Sequence, residues 1–185
     1  MTTRSSIRIL LTVLCLVPGE HSVAATCKPA VLNGTRVRTD SCLDGSCGVY
    51  LYQVGSDMVT DLGFGGSLPD IISFEFYSQA TGTFNLAIGN DSNFGTCTQC
   101  VLIYQDLNGP NDPQKTFFQT GGTLTIDMNT VPGVAADVTL SWSNVTLAEV
   151  TIDPMTFTST LVPGGDCYTV VDSDDVVFRS GFESP

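Results

Sequence analysis

Apolar residues recur at every second position in short runs separated by turn-forming pairs, and that pattern commits the chain to β structure. Ile72, Phe74 and Phe76 alternate with Ser73, Glu75 and Tyr77. Phe84, Leu86 and Ile88 alternate with Asn85 and Ala87, and Leu124, Ile126 and Met128 with Thr125 and Asp127. Val138, Leu140 and Trp142 alternate with Thr139 and Ser141. Val49, Leu51 and Val54 sit near Tyr50 and Tyr52, and Met155, Phe157 and Leu161 share one face with Ser159. Val101-Leu102-Ile103-Tyr104 is apolar on both faces, as in a central strand covered on both sides. No helical stripe of useful length competes with these runs.

Turn chemistry falls between them. Asn33-Gly34, Asp44-Gly45 and Asn108-Gly109 are pairs that tolerate positive φ. Gly65-Gly66, Gly121-Gly122, Pro132-Gly133 and Pro163-Gly164-Gly165 mark further reversals. Trp142 is in phase with its run, but Val145 and Leu147 are one step off, so a bulge or tight turn is expected at Ser143-Asn144. The predicted fold is an all-β, disulfide-stapled antiparallel β-sandwich, jelly-roll or immunoglobulin-like.

Residues 1–25 read as a cleaved signal peptide. Arg4 and Arg8 form the basic region, residues 9–17 an apolar stretch, and Val23-Ala24-Ala25 the small-residue cleavage site before Thr26. The apolar stretch is shorter than the roughly 20 residues that span a bilayer. The expected organisation is a β-sandwich domain over 26–171 and an acidic C-terminal tail over 172–185, the latter a linker with a terminal strand or a mobile tail. The expected address is secreted or periplasmic, or the cell surface, with no membrane span.

Six cysteines follow the signal segment: Cys27, Cys42, Cys47, Cys97, Cys100 and Cys167. An even count in an exported chain reads as disulfides, with fifteen possible pairings. Cys27 near the mature start is expected to join Cys167 near the domain end. Cys42 and Cys47 flank a short loop that could bring them together; Cys97 and Cys100 would pair locally, or the two close pairs would cross-link each other. Zinc on four thiolates needs reduced sulfur, which exported chains seldom keep. A redox-active Cys97-Thr98-Gln99-Cys100 would sit at a helix start, whereas a strand-like run follows it.

Charge and side-chain inventory restrict function further. Loss of Arg4, Arg8 and Glu20 takes the formal charge from −12 to −13, a field that repels a phosphate backbone and an anionic membrane. The single histidine, His21, lies in the signal segment, so no imidazole serves a triad or a metal site. Ser–Lys chemistry would need Lys28 or Lys115, neither in a recognisable motif. Glycoside hydrolysis needs two facing carboxylates. Glu75 and Glu149 are the only glutamates in the domain body, and each reads as an outward polar residue of an alternating strand.

Loops rich in Asp and Asn supply the oxygen ligands calcium prefers. The weak candidates are Asp106, Asn108 and Asp112 in one loop and Asp172 and Asp174 in another, with Asn90-Asp91-Ser92-Asn93 a third loop of this type. None completes an EF-hand: Val177 stands where the Asp172 loop requires Gly, and Phe117 where the Asp106 loop requires Glu. The expectation is no cofactor, with calcium the one to test for.

Thr96-Cys97-Thr98-Gln99-Cys100-Val101-Leu102, Ser143 to Val150 and Val162-Pro163-Gly164-Gly165-Asp166-Cys167 together resemble a group of uncharacterised secreted β proteins of Gram-negative bacteria. The terminal Phe178-Arg179-Ser180-Gly181-Phe182-Glu183 is similar to a Phe-x-x-Gly-Phe-Glu ending on assorted exported bacterial proteins. The resemblance covers about residues 90–170. It implies an extracellular setting and carries over no catalytic residue.

The functional expectation is a secreted, non-catalytic β-sandwich, a binding or surface-structure module for an extracellular ligand, glycan or protein. The alternatives are a polysaccharide-acting enzyme using carboxylates and a calcium-stabilised adhesion domain.

Overall fold

Period-two alternation is realised as eleven strands in a computed structural model that describes residues 26–32, 35–43, 46–56, 64, 66–78, 80–109, 112–129, 137–171 and 173–178. They are β1 (Lys28–Ala30), β2 (Thr35–Leu43), β3 (Ser46–Ser56), β4 (Asp70–Phe76), β5 (Gly82–Asn85), β6 (Gln99–Leu107), β7 (Pro113–Asn129), β8 (Asp137–Ile152), β9 (Ser159–Leu161), β10 (Cys167–Val170) and β11 (Ser173–Phe178). There is no α-helix among the described residues. The signal segment lies outside them, as do Asn33-Gly34, Asp44-Gly45 and Pro132-Gly133. So does Asp172, and β2, β3 and β11 are described as backbone only.

The strands make one open sheet in the order β1-β10-β8-β7-β6-β4-β3-β2, with β5 added to β7 and β9 and β11 added to β8. The sheet is mixed, against the purely antiparallel expectation: β1 pairs with β10 in parallel. β11 falls in the segment set apart as a tail; its Phe178 pairs with Val138 on β8.

The long β7–β8 hairpin organises the sheet. Its register shifts on both sides of Gly121, and Asn144 opposite adopts φ +53, so a bulge sits where the phase slip predicted one. Gly121-Gly122 is therefore no chain reversal. It is the point at which a continuous strand bends. A Cβ on Gly122 (φ +96) would lie 2.5 Å from Val145 Cα, so only glycine fits. Both strands change parity across the bend. Phe117 faces the core before it and Leu124 and Ile126 after it; on β8 Trp142 gives way to Val145 and Leu147. One half of the hairpin carries β6, β9 and β10, and the other carries β5 and β11.

The bend lets the sheet cover itself. Phe74 of β4 meets Trp142 of β8 at 5.2 Å between ring centroids, although the two strands are not neighbours. Ile72, Phe76, Val101, Ile103, Phe117, Leu140 and Tyr168 belong to the same buried cluster. Trp142 Nε1 donates to the Val171 carbonyl at 2.9 Å, which satisfies the one polar atom that the ring carries inside.

The opposite face of β6 is covered too, as its apolar run predicted: Cys100 and Leu102 pack with Phe118 and Val150. The cover comes from the segment 86–98 and the β8–β9 connection 153–158. Asn93 Nδ2 donates to the Ser159 carbonyl and Ser159 Oγ accepts from the Phe94 N–H, which ties the first segment to the start of β9, where the connection ends. Two expected strand extensions dissolve here. Ile88 lies beyond β5 and is exposed, and Met155 and Phe157 lie in the turn before β9.

Candidate functional site

A groove of about 880 Å³ crosses the second face of the sheet. Its floor is one row of register partners, Ile71 on β4, Tyr104 on β6, Thr116 on β7 and Val150 on β8. Three inter-strand spacings make that row roughly 14 Å long. Phe94 and Phe157 wall one side; Leu107, Asp112 and Pro113, around the β6–β7 turn, wall the other. Phe94 packs edge-on against Phe118 at 6.0 Å and against Phe157 at 6.5 Å. Phe94 is not singled out in the sequence and Phe157 reads there as a strand residue; each sits in a polar, turn-rich segment. A lone aromatic amid Asn, Gly and Thr is the one signal that marked them.

Phe157 adopts φ +58, a region that a bulky residue enters only at a cost. Its N–H donates to the Asp153 carbonyl at 2.8 Å. The Asp153 carboxylate accepts from the Met155 and Thr156 N–H groups, and those bonds hold it below the usual carboxylate range. Gly95 lets this turn come close, since a Cβ there would stand 2.9 Å from the Thr156 carbonyl oxygen. The other segment is held from beneath. Asp91 Oδ1 accepts from the Thr98 and Gln99 N–H groups, and Gln119 Nε2 donates to the Asp91 carbonyl. Asp91, in a loop of the calcium-ligand type, thus serves as a cap.

Glu75 corrects an expectation. It is buried rather than outward, because loops cover the face it was expected to present to water. Its carboxylate accepts from Tyr77 at 2.8 Å, Tyr104 at 3.1 Å and Ser73 at 3.1 Å. Burial and the Glu75 charge push both phenols far above their ordinary value, so neither is a base at neutral pH. Glu149 is half-buried on the other face of the sheet. It pairs with Phe117, which lines the main core, while Glu75 and Tyr104 lie on the groove side. The two glutamates of the domain body thus start from opposite faces of the sheet, although Glu149, like its partner Lys115, also contributes to the groove's lining.

Lys115 is likewise accounted for. Its Nζ stands 2.8 Å from Asp166 Oδ2 and 2.9 Å from Glu149 Oε2, and these bonds raise its pKa. Lys28 reaches the other Asp166 oxygen at 3.3 Å. Both lysines considered for Ser–Lys chemistry carry carboxylate partners, and Lys115 is held as an ammonium rather than a neutral amine.

The calcium candidates do not converge. Asp106 (φ +54) gives Oδ1 to the Ser67 and Leu68 N–H groups, which lowers its pKa, and its own N–H donates to Asp70 Oδ1. Asn108 and Asp112 close a tight backbone turn. Asp172 lies outside the described residues, as does the side chain of Asp174. Among the described residues no three His, Cys, Asp or Glu side chains stand together as a metal site. Asp70, not singled out in the sequence, is fully buried with Oδ2 lacking a hydrogen-bond partner, and burial raises its pKa.

Two disulfides are present among the described residues, Cys27–Cys167 and Cys97–Cys100. Both follow the expected pairing, and the local alternative holds for the second. Cys42 and Cys47 are register partners in the β2–β3 hairpin, but their sulfurs lie outside what is described. Disulfides fit an oxidising extracellular or periplasmic compartment. No helix among the described residues is long and apolar enough to cross a membrane. Comparison with protein-family models, curated proteins and solved structures found no match.

Proposed function

We propose that this chain is a secreted, non-catalytic binding module whose groove receives an extracellular ligand. The sheet doubled about its β7–β8 bend is read as a β-sandwich, with the groove on an outer face of one layer. The observation that carries the reading is a preformed groove at which Lys115, Glu75 and Glu149 are already engaged. Lys115 is held by two carboxylates, the phenols are held protonated, Glu75 accepts from three hydroxyls, and Glu149, which also lines the groove, accepts from Lys115 and the Asp166 N–H. Such a site has shape and contact surface but no acid–base pair. The disulfides and the resemblance to exported β proteins support the extracellular setting.

The test is direct. Purified protein lacking residues 1–25 is expected to retain surface glycans or proteins without turning over glycans, esters or peptides. Turnover that disappears with a single carboxylate substitution would overturn the reading. Fractionation with N-terminal sequencing is expected to find the exported form beginning at Thr26.

A further inference from the structure

We infer that the groove binds an extended, neutral oligosaccharide laid across the strands, with the Phe157 ring as its stacking platform. The inference rests on the binding-module reading and specifies its ligand.

Three observations converge. First, Phe157 is 57 % exposed yet held at φ +58 by a rigid turn. Stability alone favours Gly or Asn there, and a maintained backbone outlier beside a cavity points to use. An exposed aromatic face is a surface on which the C–H side of a sugar ring can stack. Second, β4, β6, β7 and β8 are all interior strands where they floor the groove. Among the described residues the floor itself therefore leaves no open ladder for a peptide backbone, the usual means of strand-like peptide capture, and the edge beside it is only the three-residue β9. The lining offers the uncharged Gln114, Thr116 and Thr151, with the exposed Asp112 beside them as an acceptor, a set suited to hydroxyls. Third, the lining's one described cation, Lys115, is neutralised by two carboxylates, and the chain carries a formal −12. A sulfated or phosphorylated ligand would meet a repulsive field with no free counter-charge.

The experiment uses the disulfide-bonded exported chain and isothermal titration calorimetry. The neutral probes are cellohexaose, xylohexaose, mannohexaose and chitohexaose; the charged probes are a heparin hexasaccharide and a hexalysine peptide. At least one neutral probe is expected to bind. Phe157→Gly is expected to weaken it tenfold or more, while relief of the backbone conformation keeps the melting temperature at or above that of the parent. Phe157→Tyr keeps binding, and Ile88→Ala, an exposed apolar change outside the groove, leaves it unaltered.

Failure of every neutral probe, or neutral binding indifferent to Phe157→Gly, overturns the inference. Binding of a charged probe alone, lost in Phe157→Gly, also overturns it but leaves the binding-module reading standing. Release of reducing ends from a bound probe, abolished by Glu149→Gln, overturns the reading beneath it.

Discussion

Asp70 and Asp106 show how two carboxylates on paired strands, joined by one hydrogen bond from the Asp106 N–H, are driven in opposite directions by their surroundings. Burial raises the pKa of Asp70, and N–H groups of Ser67 and Leu68 lower that of Asp106. A raised native pKa means that the folded state binds the proton more tightly than the unfolded chain. Asp70 therefore disfavours folding while ionised, and this burden is lifted as pH falls through its native pKa. Asp106 and Asp166 behave inversely. Their contribution is full above the unfolded value and is lost as pH falls through their depressed native values. Melting from pH 8 to pH 3 is thus expected to show stability first rising and then falling. Relief of general acidic repulsion also contributes to the rise, so the informative quantity is the difference from Asp70→Asn, which should flatten the upper limb. An unchanged upper limb in that variant would show that Asp70 does not titrate there. Residue identity alone could not separate these aspartates. Each stands beside polar or apolar neighbours in sequence, and what distinguishes them is how much of the fold closes over each. Glu75 teaches the same lesson, since alternation gave its face correctly but not the loops that cover that face.

Elements are specified where strand phase must be kept through a bend. Gly121 and Gly122 are adjacent and chemically identical, yet their substitution should differ. A Cβ on Gly121 meets Thr146 Oγ1 at 2.8 Å, the tip of a side chain able to rotate away. A Cβ on Gly122 meets the Asn144 carbonyl oxygen and Val145 Cα, both backbone, at 2.5 Å and at a positive φ. Gly121→Ala is expected to cost about 1 kcal/mol, and Gly122→Ala about 3 kcal/mol or more, in reversible denaturation. Equal losses would mean that the bend is not fixed by Gly122. The bend was half-legible. The slip after Trp142 announced the bulge on β8, but the matching parity change on β7 was hidden because Thr120, Gly121 and Gly122 carry no apolar phase. Paired glycines serve turns and bulges alike, so their chemistry could not decide between the two. The same ambiguity drew Met155 and Phe157 into a strand, because apolar spacing of two also occurs in a turn that presents side chains outward. Local patterns located most of the strands; the groove was invisible because its walls meet only after segments some sixty residues apart are hydrogen-bonded together.

At the scale of the whole molecule the two disulfides do different jobs, and sequence separation says which. Cys27–Cys167 closes a loop across 140 positions and fastens Lys28–Ala30, the parallel strand at the end of the sheet, beside β10. Chain-entropy reasoning assigns such a closure roughly 5 kcal/mol, against roughly 2 kcal/mol for the three-position closure of Cys97–Cys100. The long closure confines most of the unfolded chain; the short one hardly limits it and acts on native geometry instead. It anchors the start of β6 beneath the segment carrying Phe94, with the Phe94 carbonyl in contact with Cys97 Sγ at 3.3 Å. Paired Cys→Ala substitutions separate the roles. Removing Cys27 and Cys167 together is expected to lower the melting temperature by roughly 10 °C or more, at a few degrees per kcal/mol for a domain of this size. Groove binding well below the melt should persist, because none of the groove's lining comes from β1 or β10. Removing Cys97 and Cys100 should shift the melt by only a few degrees while weakening ligand binding, as the Phe94 wall loses its anchor. The reverse assignment, with global stability resting on the short bridge and binding on the long one, would mean that the groove is not a local structure built on β6 but a property of the terminal closure.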